Sequence, residues 1–134
     1  MDWKLEVVVV PVTDVDRAKR FYSEQVGFVV DYDTRFSDEM RSVQLTPPGS
    51  ACSIAVGTGI VDMPPGSVKG LQLVVSDIEA AWAELVGRGV AVSAVRHYEG
   101  AVLVDGHGGD WNSFVFFSDP DGNEWVVQER PTRD

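Results

Sequence analysis

From Phe114 to Glu129 the chain reads FVFFSDPDGNEWVVQE, two short runs of β-branched and aromatic residues separated by five residues unsuited to a strand. Within Asp119-Pro120-Asp121-Gly122-Asn123, proline presets φ while glycine and asparagine accept positive φ. The spacing predicts a hairpin with strands Phe114 to Ser118 and Glu124 to Glu129. The turn's residue types are explained by its tightness and need no chemistry. Pro47-Pro48-Gly49-Ser50 plays the same part before a run from Cys52 to Val56.

Upstream the grammar repeats. VVVVPVTDVDRAKRFY from Val7 and GLQLVVSDIEAAWAEL from Gly70 share one order of features, with Asp14 matching Asp77, Val12 matching Val75 and Ala18 matching Ala81. Each opens with an apolar run of strand length, Leu5 to Val12 and Leu71 to Val75. Thr13-Asp14-Val15-Asp16 and Ser76-Asp77-Ile78-Glu79 then fit a hydroxyl-x-x-acid capping box. Two amphipathic helices follow, with stripes Val15, Ala18, Tyr22, Val26 and Ile78, Ala81, Trp82, Leu85, Val86. Gly27 ends the first, and Gly87 or Gly89 the second. Further strands are expected at Phe28 to Thr34, Arg41 to Thr46 and Val90 to Arg96, and a loop with four glycines from Tyr98 to Asn112. Each half is thus strand, helix, strand, strand, strand. The expected organisation is one α+β domain of two tandem modules, about 1–58 and 69–131, with a linker at about 59–68 rich in glycine and proline.

Composition narrows the function. The 134 residues hold 11 Lys plus Arg against 21 Asp plus Glu, a formal charge of -10 that repels nucleic acid in the absence of a basic patch. The second half is the more acidic, which favours cationic ligands as well as plain solubility. Apolar runs fall far short of the ~20 residues of a membrane helix. Met1-Asp2-Trp3-Lys4 lacks a leader's basic-then-apolar layout. A lone Cys52 permits no internal disulfide, so a cytoplasmic location is expected.

With the stretches ending in Gly27-Phe28, SDIEAAWAELVGRGV and FVFFSDPDGNEWVVQE in this order, the chain resembles the vicinal oxygen chelate superfamily of glyoxalases, extradiol dioxygenases and bleomycin-resistance proteins. The resemblance implies two βαβββ modules whose sheets curl into a cup-shaped barrel, and commonly a homodimer. It also implies a metal ligand on the first and last strand of each module. The matching positions here are Val7, Ser53, Gly70 and Val126. A divalent cation needs anionic or imidazole donors, which valine and glycine lack and one serine hydroxyl cannot replace. A one-residue slip turns every side chain to the opposite face and still supplies only Glu6 from the affected pair. No metal and no cofactor are therefore expected.

If the alternation holds, one face of the strands carries Val7, Val9, Ala51, Ser53, Ala55, Gln72, Val74, Glu124, Val126 and Gln128. Such a mostly apolar lining with a few hydrogen-bonding groups suits a small-molecule pocket, and it equally suits a filled core. Gln72 and Gln128 favour the pocket, since a buried amide without a partner costs roughly 1–3 kcal/mol. In the binding reading Gln72 and Gln128 orient a small organic ligand, Ser53 adds a hydroxyl, Glu124 lies beside them, and Trp111 with Tyr98 covers a flat or cationic molecule. His97 and His107, near Glu99, Asp105 and Asp110, fit either a solvated loop or an acid–base pair. Competing readings are a lyase, isomerase or dioxygenase with displaced ligands, a metal-free catalyst using Glu124 or His97, and a dimeric interaction module with a filled cup.

Overall fold

The computed structural model describes residues 1–132, and their hydrogen bonding gives two separate sheets. The first contains β1 (Val7–Pro11), β2 (Val29–Arg35), β3 (Arg41–Thr46) and β4 (Ser53–Thr58) in the order β1-β4-β3-β2. The second contains β5 (Leu71–Val75), β6 (Arg96–Glu99), β7 (Val102–Asp105), β8 (Phe114–Ser118) and β9 (Glu124–Glu129) in the order β5-β9-β8-β6-β7. In each, the first and last strands of the module lie parallel and the remaining neighbours antiparallel. The chain is α+β and duplicated, as its sequence predicts. One compact unit comprises Met1–Val68 with Asp119–Asn123, and the other Lys69–Ser118 with residues 124–132.

Helix α1 (Val15–Arg20) continues as a π-helical turn over Phe21–Val26 and ends at Gly27, whose φ is 90°. The wider turn puts residues five apart on one face, so Phe21 is buried together with Val26 although a 3.6-residue stripe omits it. Helix α2 (Ile78–Gly87) buries Ile78 and Leu85, while Val86, expected on the same stripe, is exposed. The caps also differ from expectation. Asp14 and Asp77, with extended backbones, accept from the N–H groups of Arg17 and Ala80, so the aspartates and not the hydroxyls hold the N-cap position.

Strand periodicity sets the cores. In the first unit Val10, Val43, Leu45, Ile54 and Val56 are buried on one face of the sheet, and each contributes roughly 1.5–3 kcal/mol relative to exposure. In the second unit the equivalent layer is Val115, Phe117, Trp125 and Val127, with Phe117 and Trp125 stacked 5.9 Å apart. Both layers leave the opposite sheet face uncovered by their own helix.

One strand expectation fails. Val90 to Val95 is not a strand; β6 begins only at Arg96 and the β6–β7 hairpin extends into the expected loop, giving the second module an additional strand. Gly100, at φ 63°, occupies the first position of its two-residue turn, where a type II′ turn needs positive φ. Asp119–Asn123 is architectural: the Asp119 carboxylate accepts from the Tyr22 hydroxyl at 2.7 Å, and the buried Asn123 amide donates to the Pro11 carbonyl at 3.0 Å.

Candidate functional site

The open face of the second sheet is assembled from β5, β9, β8 and β6. Register places Gln72 opposite Val126 and Val74 opposite Gln128 on one side of β9, with Phe116 opposite Val126 and Phe114 opposite Gln128 on the other. These side chains share a face because strand residues alternate. Phe114 stacks on Phe116 with centroids 6.2 Å apart, and Tyr98 meets Phe114 edge-on at 5.5 Å. The result is an aromatic row, Tyr98, Phe114 and Phe116, bordered by two amides.

Those amides are not free. Gln72 Nε2 donates to Gln128 Oε1, and Gln128 Nε2 donates to the Trp111 carbonyl at 2.8 Å. The chain of bonds ties β5 to β9 and β9 to the loop before β8. Trp111, the only non-glycine residue with positive φ among those described, sits at 61° and remains half exposed. A tryptophan held in that region costs backbone energy and persists only where surrounding contacts fix it.

The contacts are visible. Asn112 brackets the main chain of Tyr98, accepting from its N–H at 2.8 Å and donating to its carbonyl at 2.9 Å, so a side-chain amide imitates a neighbouring strand. Gly108 donates to the buried Ser113 hydroxyl at 3.1 Å. His97 Nδ1 bonds the Gly106 carbonyl at 2.8 Å and Nε2 meets Glu99 at 3.2 Å. The Gly106 carbonyl first and Glu99 second raise the His97 pKa above its ordinary value. Both ring nitrogens face acceptors, an arrangement that favours the doubly protonated ring, so His97 holds the loop as a donor to the Gly106 carbonyl and to Glu99. His107 is occupied in turn by Glu79 at 2.5 Å. The loop is thus anchored at several points.

Glu124 lies on the same face of β9, two and four residues before Val126 and Gln128, and pairs with Lys69 at 3.3 Å. It borders a concavity of about 470 Å³ lined by Gly70, Ala91, Phe116, Ser118, Glu124 and Val126, together with two residues of the opposite face. Ser53 is placed in the first unit, paired across β1 and β4 with Val7, and its hydroxyl bonds Thr46 at 2.6 Å. Val7, Gly70 and Val126 offer no side-chain donor and the Ser53 hydroxyl is engaged, so these positions do not fit a divalent cation. Among the described residues no three His, Cys, Asp or Glu side chains gather as a metal site.

Phe114 and Phe116 escape a reading confined to the first and last strands of each module, although their alternation in FVFFS shows the signal. Asn112 and Ser113 look like turn residues, and only the fold reveals them as the loop's anchors.

Comparisons with known proteins agree with this architecture. TnmS3, an antibiotic binding protein from Streptomyces sp. CB03234, superposes with a TM-score of 0.76 at 33% identity, covering 97% of this chain and 98% of its own. A glyoxalase/bleomycin resistance protein from the same Streptomyces gives 0.73 at 34% identity, covering 94% and 100%. The uncharacterized protein YetH of Bacillus subtilis strain 168 is 25% identical over 94% of this chain and 98% of its own. The family model of the glyoxalase/bleomycin resistance protein/dioxygenase superfamily matches residues 4–127, and with a duplicated fold of the same kind the chain belongs to that superfamily.

Proposed function

We propose that this protein binds a small, flat organic molecule without transforming it, on the open face of its second sheet, and does so in the cytoplasm. The observation that carries this reading is the aromatic row Tyr98, Phe114 and Phe116 beside the hydrogen-bonded chain Gln72, Gln128 and Trp111. An apolar floor with a few fixed polar groups is what recognition of such a ligand requires. The likeness to an antibiotic binding protein at 33% identity supports it. In this reading Val126 and Phe116 contact the ligand's plane, Gln72 and Gln128 set its orientation, Glu124 closes one end, and Trp111 with Tyr98 flanks it. Binding needs no metal, in keeping with the donor-poor positions Val7, Gly70 and Val126.

Titration with acridine, a planar aromatic neutral above mild acidity, tests the reading through quenching of tryptophan emission. Saturable binding is expected, weakened about tenfold by Gln128→Leu, which removes two hydrogen bonds and leaves partners unsatisfied. Absence of binding, or binding indifferent to Gln128→Leu, contradicts it.

We further propose a homodimer formed along β1. Met1, Trp3, Leu5 and Val7 alternate with Asp2, Lys4 and Glu6, yet are 102%, 89%, 77% and 43% exposed. Bonds from Ser53 N to the Glu6 carbonyl and from Val12 N to the Gly57 carbonyl point even-numbered residues toward β4 and odd-numbered ones toward the free edge. An antiparallel second copy centred on Leu5 sets Trp3 opposite Val7 and Lys4 opposite Glu6, twice by symmetry. Neighbouring registers oppose Lys4 to Lys4 or Glu6 to Glu6. Leu5→Arg places two guanidinium groups at the axis, and sedimentation equilibrium should show dimerisation weakened at least about tenfold. A wild-type chain that is monomeric at high concentration refutes the arrangement.

A further inference from the structure

We infer that the first sheet carries, at its exposed β2 edge, a binding site for an organic cation built on Asp31 and Tyr32. The inference goes beyond the ligand face of the second sheet and does not depend on it. Its basis is a β-bulge. Val30 pairs with Leu45 and Tyr32 with Gln44, so Asp31 is the additional residue on β2. In a regular strand Asp31 and Tyr32 would point to opposite faces. Here both engage one face: the Tyr32 hydroxyl donates to Gln44 Oε1 at 2.5 Å, and Asp31 Oδ2 accepts from the Thr46 hydroxyl at 2.5 Å and from Gln44 Nε2 at 3.4 Å. Thr46 is bonded in turn to Ser53, which is buried. Bulges re-aim side chains in this way, and they are frequent beside binding sites.

Charge distinguishes Asp31 from its neighbour. Asp33 is clamped by the Arg41 guanidinium at 2.7 Å and by Lys19 at 3.0 Å, and Arg41 holds its carboxyl well below the usual carboxylate range. Asp31 forms no ion pair among the described residues. Neutral donors position its carboxylate without cancelling its charge, and the half-exposed Tyr32 ring lies next in the chain. A directed carboxylate beside an aromatic face is the chemistry that recognises an ammonium or a protonated ring nitrogen. The formal charge of -10 raises the local concentration of such a ligand. A carboxylate that serves only to solvate the edge strand β2 needs neither the bulge nor the bonds to Gln44 and Thr46.

The test compares 9-aminoacridine, a cation at neutral pH, with neutral acridine on the full-length protein by fluorescence anisotropy. The cation should bind about tenfold more tightly, from one exposed ion pair plus a cation–π contact. Asp31→Asn should reduce that preference to less than about twofold, while Asp38→Asn, a charge-matched control, leaves it unchanged. Tyr32→Leu keeps the carboxylate and should weaken the cation about threefold. Gln128→Leu should weaken acridine and spare the first-sheet component; a wild-type protein that binds no acridine but keeps Asp31-dependent binding of the cation overturns the second-sheet reading and supports this one. Equal affinity for the two probes, or a preference that survives Asp31→Asn, overturns the Asp31 site.

Discussion

Replacing Asp119 with alanine is expected to destabilise the protein by about 4 kcal/mol, because one buried carboxylate satisfies four donors and each buried donor left unpaired costs roughly 1–3 kcal/mol. Oδ2 accepts from the Tyr22 hydroxyl and the Asn123 amide, both at 2.7 Å, and Oδ1 from the main-chain N–H groups of Asn123 and Asp121 at 2.9 and 3.0 Å. Tyr22 and Asn123 are 0% exposed, so water cannot replace the lost acceptor without opening the core. The full penalty is not four times that of one bond, since the turn relaxes around the truncated side chain. Tyr22→Phe removes one donor and should cost only about 1–2 kcal/mol. Urea unfolding monitored by tryptophan emission measures both. A loss below about 1 kcal/mol for Asp119→Ala would show that the turn is not fixed by this carboxylate.

Gly108→Ala is expected to be the most damaging substitution in the Trp111 loop. Its Cβ would stand 2.2 Å from the Asn112 carbonyl oxygen, 2.8 Å from Asn112 Nδ2 and 2.8 Å from the His97 Cβ. The closest is a backbone atom and the His97 Cβ is fixed to its main chain, so the loop must move. Movement of Asn112 breaks its pair of hydrogen bonds with the Tyr98 main chain and shifts the Trp111 carbonyl away from Gln128. The expected cost is about 2–3 kcal/mol of stability, as for an overpacked core position, together with a change in tryptophan emission. Acridine affinity should fall about tenfold as the Gln128 contact is lost. Gly109→Ala provides the comparison, since nothing lies within 4 Å of its added carbon. Equal behaviour of the two variants would separate the loop's close packing from ligand binding.

The strands were legible where the pleat's period was clean. RSVQLT, LQLVV, FVFFS and EWVVQE begin and end in the fold where their alternation and turns predict. The β6–β7 hairpin was hidden because Arg96-His97-Tyr98-Glu99 puts polar residues on both faces, as a short edge-proximal strand tolerates. Its only signals were Val102 to Val104 and Gly100. The π-helical turn was hidden for a related reason: a stripe counted at 3.6 residues cannot include Phe21 and Val26 together.

At the candidate site, parity alone placed Gln72, Gln128, Glu124 and Val126 on one face. Their mutual bonding depended on the parallel register of β5 and β9, which no local pattern specifies. The duplicated plan itself points to two different registers: Val7 pairs with Ser53, whereas Val126 pairs with Gln72 and not with Gly70. Asp31 was invisible for the same physical cause, because a bulge reverses facing without leaving a mark in composition.

An amide-resolved NMR titration of the full chain with acridine tests the central claim most directly. The account predicts saturable shifts at Gln72, Gln128, Trp111 and Phe116, with little change at Val43 or Val115 in the buried layers. Shifts confined to other surfaces, or none at the solubility limit, would contradict a ligand face on the second sheet.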